Sequence, residues 1–79
     1  MNPAAAFGHA LRYFRMSLRL SQERLAQESG LDRSYISLLE RGIRQPSLTT
    51  IIQIAQALNL SPRELIGKVE EELRKNSKD

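Results

Sequence analysis

Ser21-Gln22-Glu23-Arg24-Leu25-Ala26-Gln27-Glu28-Ser29-Gly30 runs directly into Leu31-Asp32-Arg33-Ser34-Tyr35-Ile36-Ser37-Leu38-Leu39-Glu40-Arg41-Gly42, and the reading of this stretch decides the fold. Ser21 offers a hydroxyl to the free amides of a helix start, and Gly30 can take the left-handed conformation that ends one. The spacing predicts a short helix over 22–29. Asp32 is placed to cap a second over 33–41, closed by Gly42 as Gly30 closes the first. Two short helices crossing steeply come very close near the turn, so the first must present a small side chain there, and Ala26 is that residue. Gly30 gives the turn its backbone freedom. Ile36 and Leu39 pin the second helix from beneath, which leaves Arg33, Ser34, Ser37 and Leu38 pointing outward.

Helical punctuation continues on both sides. Phe7, Ala10, Leu11, Phe14 and Leu18 recur three or four apart, which predicts a helix over 4–18 with one apolar face. After Ile43 to Pro46, Ser47 caps a helix over 48–58 whose apolar residues are Leu48, Ile51, Ile52, Ile54, Ala55 and Leu58. Ser61-Pro62-Arg63-Glu64 has the form of a reciprocal cap with proline in the first turn. It opens a fifth helix over 62–74, carrying Leu65, Ile66, Val69 and Leu73. Strand signals are missing, so the expected fold class is all-α. The expected organisation is a five-helix bundle forming a single domain over 1–75, with a frayed polar tail at 76–79.

The chain has 79 residues and no cysteine, so a packed core, alone or with a subunit interface, has to hold it together. It has no apolar run of membrane-spanning length and no secretory signal pattern, and a soluble, cytoplasmic protein is expected. The net charge is +3, yet residues 21–46 balance four arginines against four acids. Bulk charge therefore carries little of the functional argument; placement carries it. His9 has no cysteine partners, and its nearest acid in sequence is Glu23, so it reads as a solvated helix residue. Glu70, Glu71 and Glu72 fall on different sides of a helix and read as solvated surface. Neither a phosphate loop nor a nucleophile elbow is present. No enzyme activity, cofactor, metal or small-molecule ligand is expected.

From spacing alone two readings stand. One is a DNA-binding hairpin whose second helix enters the major groove, with Arg33 suited to a bidentate bond to guanine. The other is an ordinary helical hairpin with a solvated face, serving as a protein-interaction module. The segments Leu20 to Leu31 and Ser34 to Gly42, followed by Arg44-Gln45-Pro46-Ser47-Leu48 and Ile54-Ala55-Gln56-Ala57-Leu58, closely resemble the Cro/phage-repressor (Xre) helix-turn-helix family. Leu31-Asp32-Arg33-Ser34-Tyr35-Ile36-Ser37 is also similar to the recognition helix of the controller proteins of restriction–modification systems.

The resemblance implies a sequence-specific transcriptional regulator, acting as a homodimer on a pseudo-palindromic double-stranded DNA operator. It implies roles residue by residue. Gln22 contacts a phosphate and buttresses the recognition helix, Arg33 and Ser34 read bases, and Tyr35 and Ser37 support them. Arg44 and one of Thr49 or Thr50 reach the DNA backbone. Arg15 and Glu40 match a family pair that joins the first helix to the end of the third, a structural role shared with Ala26, Gly30, Ile36 and Leu39. Two residues depart from the pattern. Leu38 stands where many relatives read a base, and it either meets a thymine methyl or sits idle. Arg19 replaces a common glycine, so its turn is expected to be strained or differently shaped while the side chain gains reach toward a phosphate. Leu65, Ile66, Val69 and Leu73 are either core or, in part, a two-fold interface.

Overall fold

The computed structural model describes residues 1–75; the tail expected at 76–79 lies outside them. Five helices follow one another: α1 (Pro3–Ser17), α2 (Gln22–Ser29), α3 (Arg33–Glu40), α4 (Leu48–Ala57) and α5 (Pro62–Lys75), with no strand among the described residues. The starts follow the cap chemistry. The hydroxyl oxygens of Ser21 and Ser47 accept from the amides of Arg24 (2.9 Å) and Thr50 (3.1 Å). Ser61 and Glu64 form the reciprocal cap, each side chain accepting from the other's backbone amide. Asp32 differs: it stands at the cap position of α3, but its carboxylate takes no backbone amide.

The first four helices end in one way. Arg19, Gly30, Gly42 and Asn59 have φ of 58°, 74°, 73° and 58°. The next residue's amide then reaches back to a carbonyl in the last turn: Leu20 to Arg15, Leu31 to Ala26, Ile43 to Leu38, Leu60 to Ala55. This is the Schellman arrangement, which satisfies carbonyls that a helix terminus would otherwise leave free. Leu20, Leu31 and Leu60 also fold inward against the core. Arg19 therefore makes a turn of the ordinary shape, with a side chain in a region of backbone space that disfavours one.

The core contains Phe7, Ala10 and Leu11 of α1, Leu25 and Ala26 of α2, Ile36 and Leu39 of α3, Ile54 and Ala55 of α4 with Leu58 at its end, and Leu65 and Val69 of α5. Several apolar positions depart from the sequence expectation. Leu18 falls past the end of α1 and is half exposed; Leu48 is 72% exposed at the first turn of α4, and Ile52 and Ile66 are exposed too. Leu65 is fully buried and Val69 nearly so, while Leu73 packs partly against the core. Ile66 is the most exposed residue of that stripe.

The α1–α5 contact leaves His9, Glu70 and Glu71 exposed as expected but corrects the reading of Glu72 as solvated surface. Glu72 is largely buried, with Lys68 at 3.5 Å, Lys75 at 3.7 Å and His9 Nδ1 of α1 at 3.6 Å. Sequence distance hides this cluster, because the acid that meets His9 lies on another helix. Lys68 also sits over the Tyr13 ring at 4.0 Å. Desolvation there works against its charge, but hydrogen bonds and charge from Glu71 and Glu72 outweigh it and hold the ammonium above the ordinary lysine value.

Candidate nucleic-acid interface

The exposed start of α3 is held from behind. At its far end Glu40 is buried, and its carboxylate accepts from Arg15 Nε (2.5 Å), Arg15 Nη2 (3.0 Å) and Gln22 Nε2 (3.0 Å). Arg15 Nη1 donates to the Leu20 carbonyl at 2.7 Å. One network thus joins α1, the turn after it, the start of α2 and the end of α3. A buried carboxylate with three donors is a rigid anchor, because leaving any partner unmatched in a dry site is costly. Gln22, the first residue of α2 and half buried, spends one amide hydrogen on Glu40 and keeps a second.

Gly8 adds a second constraint. A Cβ placed there would lie 2.5 Å from the carbonyl oxygens of Leu39 and Glu40, so the backbone of α1 touches the end of α3 directly. Gly42 has a similar relation to α1, with Ala5 Cα 3.0 Å from where its Cβ would be. The hairpin of α2 and α3 is therefore fixed on α1 by close backbone approach as well as by core packing.

At the free end of α3, Arg33 and Ser34 are exposed. The Ser34 hydroxyl donates to Asp32 Oδ2 at 2.6 Å. Tyr35 is half buried against the core, and the Arg44 guanidinium lies 6.0 Å from its ring centre, at the outer edge of cation–π range. Ser37 and Leu38 are half buried, so Leu38 presents only part of its side chain outward. Of the two threonines, Thr49 is exposed. Thr50 is buried, with its hydroxyl oxygen accepting from Ser47 at 3.1 Å. Ala26, Ile36 and Leu39 lie in the core.

The arrangement thus brings Arg33, Ser34, Arg44 and Thr49 to the surface of the hairpin and its flanks, while the half-buried Gln22, Tyr35, Ser37 and Leu38 shape its edge. Sequence reasoning missed Gly8 and the Asp32–Ser34 bond. A glycine inside an otherwise strong helix is a usable signal for the first, since it weakens the helix unless something must approach closely.

The comparisons with known proteins agree with this geometry. The helix-turn-helix family model matches residues 11–65. The control protein C.BamHI of Bacillus amyloliquefaciens is 46% identical over 61 residues, 76% of this chain and 75% of that protein. C.SmaI of Serratia marcescens, also a control protein, is 46% identical over 58 residues, 73% and 69% of the two chains. Among solved structures, the restriction–modification controller C.AhdI of Aeromonas hydrophila superposes with a TM-score of 0.77 at 52% identity, covering 78% of this chain and 94% of that one. The controller C.Esp1396I, solved as a tetramer with its natural 35-base-pair operator, superposes with a TM-score of 0.86 at 26% identity, over 94% and 97% of the two chains. With a family model matching residues 11–65 and relatives 46% identical over most of both chains, the chain belongs to the helix-turn-helix family of DNA-binding transcriptional regulators of the Cro/phage-repressor type.

Proposed function

We propose that the protein is a restriction–modification controller that binds a pseudo-palindromic operator as a homodimer, with residues 1–75 as its single DNA-binding domain. The observation that carries the reading is an exposed Arg33–Ser34 pair at the start of a helix whose opposite end is locked by Glu40, Arg15 and Gln22. The likeness to C.BamHI and C.AhdI supplies the narrower role. Arg33 reads a guanine edge in the major groove. Gln22, Arg44 and Thr49 hold phosphates and set the register. The protein works in the cytoplasm and performs no catalysis of its own. Among the described residues no helix is long and apolar enough to cross a membrane.

One recognition helix reads only a few base pairs, so two copies about 34 Å apart are needed for selectivity. The surface offered to the second copy is the apolar strip of Leu48 and Ile52 on α4 with Ile66 on α5. Ile66 lines a groove of about 160 Å³ together with Pro46 and Ile51.

Titration of the purified chain with DNA from its own upstream region tests the reading. Binding is expected to favour that DNA over scrambled sequence and to weaken steeply as salt rises. Arg33→Ala is expected to lose discrimination at one base pair in each half-site, while Arg44→Ala weakens all sequences alike. Salt-insensitive or absent binding would sink the reading, as would two variants that bind like the wild type. A methyltransferase gene and an endonuclease gene beside this one are expected from the controller role.

A further inference from the structure

We infer that Asp32 sets the hydrogen-bonding polarity of Ser34, so that Ser34 selects a base carrying an exocyclic amine. The inference rests on the reading of α3 as the recognition helix. A serine hydroxyl is normally ambiguous, because its one hydrogen rotates and its lone pairs accept, so it can face a donor or an acceptor. Here the ambiguity is removed. Ser34 Oγ lies 2.6 Å from Asp32 Oδ2, and a carboxylate can only accept, so the serine hydrogen is committed to it. What Ser34 presents to the groove is lone pairs alone.

In the major groove, adenine shows the N6 amine and cytosine the N4 amine, whereas guanine and thymine show carbonyl oxygens at the matching edges. An oxygen that can only accept therefore bonds adenine or cytosine and meets lone pair with lone pair at guanine or thymine. Asp32 acts through Ser34 and is a positioning residue. Its carboxylate is free for this work because it takes no backbone amide at the start of α3. Its position carries a general cost, since a negative charge at the groove-facing end of the helix repels phosphates. Removing it consequently has two separable effects, a change in base preference at one position and a uniform change in affinity.

The test uses the full chain and labelled duplexes of its operator, with each half-site position changed in turn to all four bases. Ser34→Ala identifies the base pair that Ser34 reads. At that pair the wild type is expected to prefer adenine or cytosine over guanine or thymine by about tenfold. Asp32→Ala is expected to lose that preference at the same pair, keep the preference attributed to Arg33, and bind the duplexes varied at every other position more tightly by a common factor. Asp32→Asn has the same shape but can offer Ser34 either a donor or an acceptor, and it is expected to relax the preference likewise. It also guards against a packing defect in the alanine variant. A common shift in affinity with the amine preference intact would overturn the inference, as would a wild type that prefers guanine or thymine at the Ser34 pair. A wild type with no preference at any pair instead removes the recognition-helix reading, and the inference with it.

Discussion

Glu40 is an acid at the C-terminus of a helix, where the backbone dipole disfavours a negative charge. Its side chain is only 2% exposed and that of Arg15 11%, so neither can turn to water for relief. The two charges and the Gln22 amide are therefore held by each other. Glu40→Gln leaves the Arg15 guanidinium buried without its counter-charge and is expected to cost about 3–5 kcal/mol, read as a lower midpoint in urea unfolding. Replacing both partners together, Arg15→Met with Glu40→Leu, is expected to recover most of that loss. The double variant frees the Gln22 amide, so it is expected to be folded yet weaker on DNA. A single Glu40→Gln variant as stable as the wild type would show that the network contributes nothing.

At the scale of elements, two glycines inside helices give opposite expectations. Alanine is the better helix former by about 1 kcal/mol, so Gly67→Ala in α5, where an added Cβ meets nothing within 4 Å, is expected to raise the thermal midpoint. Gly8→Ala drives a Cβ to 2.5 Å from two backbone carbonyls at the end of α3, and overpacking of that kind costs about 1–3 kcal/mol or more. It is expected to lower the midpoint in the same calorimetric experiment. Equal shifts for the two would refute the close approach of α1 and α3. The pair also shows what the sequence could reveal. Helix positions were legible because caps and stops are local: Ser21, Ser47, Ser61, Gly30 and Gly42 act within a few residues of themselves. The Arg15–Glu40 pair was legible only through resemblance, since 25 residues separate its members. The burial of Thr50, the exposure of Leu48 and the seat of Glu72 beside His9 depend on how whole helices meet, which periodicity alone does not decide. Asp32 looked like a cap and is instead a partner for Ser34, because its carboxylate has a hydroxyl within reach as well as the backbone amides.

At the scale of the whole molecule, the homodimer proposed above needs a two-fold surface, and exposure narrows where it lies. Leu65 is sealed in the core and Val69 and Leu73 pack against it, so a two-fold contact has to use side chains that one subunit leaves outside. Leu48 and Ile52 lie one turn apart on α4, with 72% and 38% of their surfaces open, and Ile66 of α5 is 43% open. An isologous dimer places the same strip on both subunits, so each substitution is felt twice. Ile66→Glu and Leu48→Glu bring like charges together across such an axis while leaving each subunit's own core untouched. Both are expected to keep the helical signal and the unfolding cooperativity of a folded monomer, to sediment as monomers at micromolar concentration, and to bind the palindrome at least tenfold more weakly. A single half-site is expected to bind as before, because α3 is unchanged. Leu18→Glu, at an equally open site beyond the end of α1, serves as the control and is expected to stay dimeric. If the Ile66 and Leu48 variants remained dimers and Leu18→Glu did not, the two-fold surface would lie at the end of α1, and the spacing of the two recognition helices would have to be worked out from that face instead.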